Sequence, residues 1–502
     1  MFMDVTSKRL KRDLTPYLTT GIMLLGLLLR CQQFIYQHAM NMDESFLALN
    51  VVDRSYPDLL KPLDYNQGAP PGFLIVQKAI VQALGDHDYS HALFPFICGL
   101  LLLFLMLQFT KSFAAGTGIL VSLGIFVVSG PILRYSSEAK QYSLDVCAAL
   151  ILLILAGRCL DLDADRREYL ALAAAGAISI WFSHAALFMM SAVFPVLLIH
   201  QFLKKDWQKL TWVGWSVLFW ALNFGLLYFL SLRFLTGNRA LVDFWTPLYM
   251  PLPPWQDLAW FPRNYKAVWE NPVGLPFMGM GAVLMLTGML SLFFRNWKTA
   301  LILTLPFFSV LAASSLKIYP FGNRLILFLV PVIYLFLAEG IERIRLSLIK
   351  TNSLIASAVW ALLVAFMFFI PARDAFRFMV YPTPEEGIKP ALAYIQRHRV
   401  GSEGLYVYYG AYPTFKYYAP EYDLENSNVF IGKASRNKPG RYQVELDSIT
   451  GLGNVWFLFA HNCHWCKVNE QEYFLRYLDK KGTRLGEVIH PGGSAYYYRF
   501  EP

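Results

Sequence analysis

Apolar residues in this chain arrive in runs near 20 long, such as Leu18 to Tyr36 and Leu93 to Phe109, and no other feature restricts the fold as tightly. Runs of that length match the roughly 30 Å hydrocarbon layer of a bilayer, so they read as transmembrane helices. Composition agrees: 56% of the 502 residues are hydrophobic and 16% charged, against about 25% charged in soluble domains. A disordered, collagenous, coiled-coil or disulfide-scaffold chain is excluded. Transporter, enzyme and receptor stay open. The net charge of +9 is spread in short clusters between apolar runs. With no basic stripe or stacking platform, nucleic acid is not an expected partner.

Eleven candidate spans start near residues 17, 92, 113, 141, 169, 185, 211, 273, 299, 324 and 353. The first contains Arg30 and lacks a small-residue cleavage pattern, so it reads as a helix that stays rather than a signal peptide. If every span crosses, the clusters Lys8-Arg9-Lys11-Arg12, Lys111, Arg158 with Arg166-Arg167, Lys204-Lys205-Lys209, Arg295 with Lys298, and Arg343-Arg345-Lys350 share one side. By the positive-inside rule that side is the cytoplasm. The N-terminus is then cytoplasmic and the C-terminus outside. The expected class is a multi-pass α-helical membrane protein of the cell inner (plasma) membrane with about 11 helices and a C-terminal extracytoplasmic α/β domain. Residues 1–370 form the membrane domain, with outer loops 39–90 and 233–272, and residues 371–502 the soluble one. In the latter, EEGIKPALAYIQRHR and EQEYFLRYLDKKG read as helices, the second ending at a Gly cap, and GLYVYYG and NVWFLFA as buried strands.

The chemistry is sought at the outer ends of the spans. Asp43 and Glu44, in NMDES, are paired carboxylates at the mouth of a membrane cavity, suited to a general base; they also suit the cap of the helix that follows. Between the third and fourth spans, Arg134 and Lys140 can hold a phosphate, with Tyr135, Glu138 and Tyr142 beside them. An Arg134–Glu138 or Glu138–Lys140 ion pair is the plainer alternative. Arg324 enters the tenth span from a Pro/Gly loop, as an anion ligand or a snorkelling side chain. His184 lies at the end of the short fifth span, as a hydrogen-bonded interfacial residue or a ligand. His461, Cys463, His464 and Cys466 crowd into HNCHWC, where a disulfide between the two cysteines, free thiols and a metal site all stay open.

Four segments in order resemble the C-type glycosyltransferase superfamily (GT-C), in its protein-mannosyltransferase and aminoarabinose-transferase-like branch. They are MDES, GAPPGFLIVQK (68–78), RYSSEAKQYSLD (134–145) and FGNRLILFLVPV (321–332). The resemblance implies a polyprenyl-phosphate-linked sugar donor, a lipid, glycan or protein acceptor, and transfer outside the cytoplasm. It implies Asp43 as catalytic base with Glu44 orienting it or touching a divalent metal ion, which some relatives use. Arg134, Lys140 and Arg324 would then hold the donor phosphate, with Tyr135, Glu138, Tyr142, His184, Gln67 and Lys78 as further substrate contacts. Relatives often carry a charged residue just before the proline pair; here Ala69 stands there, with Gln67 and Lys78 nearby. A lipid-linked-sugar flippase, for which Arg30 would matter, and a receptor using the C-terminal domain are the rival classes.

Overall fold

The computed structural model describes residues 14–501 except 37–38, 276, 382–386, 402, 426–427, 436–437, 439 and 462–468. Cys463, His464 and Cys466 therefore lie outside the described residues. From α1 (Thr15–Ile35) the chain turns through α2 (Met42–Asp53) and α3 (Pro71–Leu84), then runs back along α4 (Asp88–Phe113). It returns as α5 (Gly118–Val128) and α6 (Gly130–Arg134), and goes back and forth through α7 (Tyr142–Cys159), α8 (Arg166–Phe182) and α9 (Ala186–Lys204). Next come α10 (Trp207–Leu227), α11 (Arg233–Thr236), and a connection holding α12 (Arg239–Trp245) and α13 (Trp260–Val268). The last membrane helices are α14 (Met278–Arg295), α15 (Trp297–Ser315), α16 (Val330–Ile349) and α17 (Ser353–Val380).

Among the described residues, nine helical segments are long and apolar enough to cross a membrane. Two of the eleven expected spans fall short. The third is broken at Ser129 into α5, of 11 residues, and α6, of 5, because Pro131 opens a new helix instead of continuing the old one. The fifth, α8, has 17 residues, about 25 Å of helix. Both still bring the chain back to the end that bears Asp43. The loop after α6 donates Ala139 N–H to Glu44, and Ser183, closing α8, donates to Asp145 in the first turn of α7 at 2.6 Å.

A helix apolar on every side belongs in the middle of a bundle. That is the place of α16, buried from Val330 through Glu342. It touches α14 backbone to backbone: a methyl group on Gly288 would collide with the Phe336 carbonyl, and one on Gly340 with that of Leu284. Leading into α16 is a 3-10 turn, Asn323–Leu329, which carries Arg324.

Past α17 the chain builds an α/β domain from α18 (Lys389–His398), β1 (Gly404–Val407), α19 (Tyr412–Tyr418), β2 (Val429–Ile431), α20 (Gly440–Thr450), β3 (Asn454–Ala460), α21 (Glu470–Lys481), β4 (Gly482–His490) and β5 (Gly493–Phe500). Sheet order is β2-β1-β3-β5-β4, parallel on the first side and antiparallel from β3 onward. The two apolar strands and two helices read in the sequence are present. Gly482 is the C-cap of α21, as read; its backbone is extended and it also opens β4. The domain sits on the membrane helices: Lys389 pairs with Asp88 at 2.7 Å, and Met40, Ala48 and Ala139 are buried in the same core as β1 and β3.

Candidate active site

Helix α2 starts in a capping box. The Asn41 side chain accepts from the backbone N–H groups of Asp43 and Glu44, and Glu44 Oε2 accepts from Asn41 N–H at 2.9 Å. The spacing Asn41-x-x-Glu44 is the sequence signature of this motif. Its effect is to fix the direction in which Asp43 leaves the helix.

Asp43 meets cations from two distant segments. Arg324 Nη2 donates to one carboxylate oxygen, and Lys140 Nζ lies 3.9 Å from the other. Gln67 bridges them, its amide 3.5 Å from Asp43 Oδ1 and its carbonyl accepting from Lys140 at 2.6 Å. Burial pushes the Asp43 carboxyl up, but Lys140, Arg324, the Gln67 hydrogen bond and His461 outweigh it and hold the group below the usual carboxylate range. At neutral pH Asp43 is an anion, yet its side chain stays 26% exposed and within reach of a substrate.

Around this pair stand the aromatic and acidic residues of the 134–142 segment. The Arg324 guanidinium lies 5.5 Å from the Tyr142 ring centroid, and the Tyr142 and Tyr135 rings are 5.2 Å apart, edge on. Arg134 Nε is 3.6 Å from Glu138 Oε2. Four buried polar atoms of this segment and of Arg324 have no hydrogen-bond partner among the described residues: Ser137 Oγ, Glu138 Oε1, Gln141 Oε1 and Arg324 Nε. Because a buried unpaired polar atom is costly, these mark where a ligand's polar groups belong.

Glu44 has a different place from Asp43. Its Oε1 accepts from Ala139 N–H and its Oε2 from Asn41 N–H, so the carboxyl ties the start of α2 to the segment bearing Lys140. Burial and the neighbouring Glu138 push this carboxyl up to about 8, despite those two N–H donors and Lys140. The folded chain thus keeps a proton that the unfolded chain releases near its ordinary value of 4.5. Raising pH between those values favours the unfolded state. Melting temperature is expected to fall from about pH 5 to about pH 8 and then level off; the Glu44→Gln protein, followed by intrinsic fluorescence over the same range, should lose this part of the slope.

The remaining sequence candidates divide. Gln67, Tyr135, Glu138 and Tyr142 join the Asp43 cluster. Lys78 does not: its Nζ donates to the carbonyls of Val51 at 2.9 Å and Val52 at 3.4 Å, capping the far end of α2. No hydrogen bond or ion pair among the described residues links His184 to Asp43, and its buried Nε2 has no partner there. Asn271, which bonds Tyr135, and His461, which acts on Asp43, join the site from segments that gave no local signal for it. The carboxylates are interleaved with cations, and no three His, Cys, Asp or Glu side chains cluster as ligands among the described residues.

No protein-family model matches the sequence, and no curated protein does. Solved structures do match it. ArnT from Cupriavidus metallidurans bound to undecaprenyl phosphate aligns over 97% of this chain and 98% of its own, with 12% identity and a TM-score of 0.51. The apo form of the same protein covers 95% and 98%, with 13% identity and a TM-score of 0.50. Archaeal oligosaccharyltransferase AglB from Archaeoglobus fulgidus, in complex with an inhibitory peptide and a dolichol-phosphate, covers 96% of this chain and 74% of its own at 10% identity and a TM-score of 0.46. From its first membrane helix to its C-terminal sheet, the chain has the fold of ArnT, a multi-pass architecture with a C-terminal α/β domain such as its apolar runs and polar tail led us to expect.

Proposed function

We propose that this protein is a membrane glycosyltransferase that moves a sugar from a polyprenyl-phosphate donor to an acceptor, with inversion, on the side of the membrane that bears the α/β domain. One observation carries the reading. An ionised, partly accessible Asp43 is held against Arg324 and Lys140 at the end of the membrane helices, in a fold whose counterpart in ArnT was solved with undecaprenyl phosphate.

In this reading Asp43 takes the proton from an acceptor hydroxyl or amine as that atom attacks the anomeric carbon. The bond from the anomeric carbon to the phosphate oxygen breaks, and its electron pair leaves with the phosphate. Charge grows on that oxygen, so preorganised cations lower the barrier. Arg324, with its unpartnered Nε, Lys140 and Arg134 supply them. A phosphate is already a good leaving group, which is why one carboxylate suffices where a glycosidase needs two. The basic clusters after α4, α7, α9, α14 and α16 lie at the opposite ends of the helices from Asp43, which supports an extracytoplasmic site in the plasma membrane.

The test uses purified full-length protein, a panel of undecaprenyl-phosphate-linked hexoses and pentoses, and a total membrane extract as the source of acceptors, with freed undecaprenyl phosphate measured by mass spectrometry. Release of the carrier from at least one donor is the expected result. Movement of donors across a vesicle bilayer with no sugar lost from any of them would make the chain a flippase instead.

A further inference from the structure

Tyr418, at the end of α19 in the C-terminal domain, is 1% exposed, and its hydroxyl has two partners in the membrane domain. It donates to Asp88 Oδ1 at 2.5 Å and accepts from Met40 N–H at 2.7 Å. Met40 directly precedes Asn41, whose side chain caps the turn that aims Asp43. The phenol therefore fixes the backbone one residue ahead of that cap.

Other contacts from the same domain converge on the same place. Helix α19 packs along α2, with Ala48 buried in the domain's core. Lys416 Nζ meets Tyr65 Oη at 2.9 Å, two residues before Gln67. Strand β3 ends at Ala460, and the next residue, His461, is close enough to favour the ionised form of Asp43. By contrast Tyr417, the neighbour of Tyr418, bonds Asp86 at 2.6 Å, beside His91, and makes no hydrogen bond to the Asp43 loop among the described residues. Two adjacent tyrosines dock the domain; one of them also reaches the catalytic turn.

We infer that the C-terminal α/β domain is a working part of the site, with Tyr418 as the positioning residue that sets the Asp43 loop. This rests on the glycosyltransferase reading above. A small displacement of a catalytic group costs rate more than it costs substrate binding, because attack needs a narrow geometry. Tyr418→Phe removes the hydroxyl while keeping the ring, and Asp88 retains Lys389 as its partner.

The experiment compares full-length wild type, Tyr418→Phe and Tyr417→Phe, using whichever undecaprenyl-phosphate sugar turns over. For Tyr418→Phe, kcat should fall about 10- to 100-fold with little change in donor KM, and amide exchange over residues 40–44 should lose its slow phase. Tyr417→Phe should match wild type in both readouts. A wild-type kcat and wild-type exchange in Tyr418→Phe would overturn the inference. So would equal losses in both variants, since that is the behaviour of a domain that merely docks. Asp43→Asn run alongside separates the two readings. If it keeps wild-type turnover, the glycosyltransferase mechanism fails, whereas an inactive Asp43→Asn with an unaffected Tyr418→Phe removes only the role of Tyr418.

Discussion

Replacing Asp43 with asparagine should lower turnover by about two to four orders of magnitude, while undecaprenyl phosphate binds at least as tightly as before. The substitution keeps shape. An amide oxygen still accepts from Arg324, and the capping box, built from Asn41 and Glu44, is untouched. Only the group that can take a proton is lost. Removing the negative charge also frees Arg324 and Lys140 from their present partner, which leaves more positive potential for an incoming phosphate. Turnover and carrier-lipid binding must therefore be measured separately. An Asp43→Asn protein with wild-type turnover would take Asp43 out of the mechanism; one that binds undecaprenyl phosphate much more weakly would place Asp43 on the donor side instead.

Arg324→Gln should do the opposite. Loss of a charge-assisted donor to a buried anion costs about 2–3 kcal/mol, or roughly 30- to 150-fold in Kd for undecaprenyl phosphate. Because Arg324 is one of the cations that hold Asp43 low, its removal should also move the acidic limb of the rate profile to higher pH. Arg324→Lys should recover little, since an ammonium offers a point charge where the guanidinium offers a fork. In the double variant the two effects should not add, because the residues share a contact. Full additivity in binding and rate would mean that the pair acts on different steps.

How much of this was legible depended on how far each signal reaches along the chain. Apolar runs locate membrane helices because burial in lipid is a property of the segment itself. The break between α5 and α6 was also written locally, in Ser129-Gly130-Pro131, but a hydropathy reading passes over one proline in an apolar stretch. Likewise Asn41 and Glu44 spelled a capping box, and α2 was expected as a helix start without it. Strand β4 was missed for another reason. β4 is an edge strand whose side chains are largely exposed, so it carries no apolar run to read. The meeting of Asp43, Lys140 and Arg324 came only through resemblance. Periodicity and spacing say nothing about residues so far apart, and nothing local could place Tyr418 or His461 beside them.

The ion pair between Lys389 and Asp88 has a consequence for how the molecule is made. Translation delivers Asp88 early and its counterion only after every membrane helix has been inserted. Until the last part of the chain has been made and has folded, Asp88 lacks Lys389, and the turn ahead of α2 lacks the phenol that holds it. Biosynthesis thus has a natural order, in which the turn that carries Asp43 is fixed last. A chain cut before α18 lacks all three of these contacts, from Tyr418 to Met40 and Asp88 and from Lys389 to Asp88.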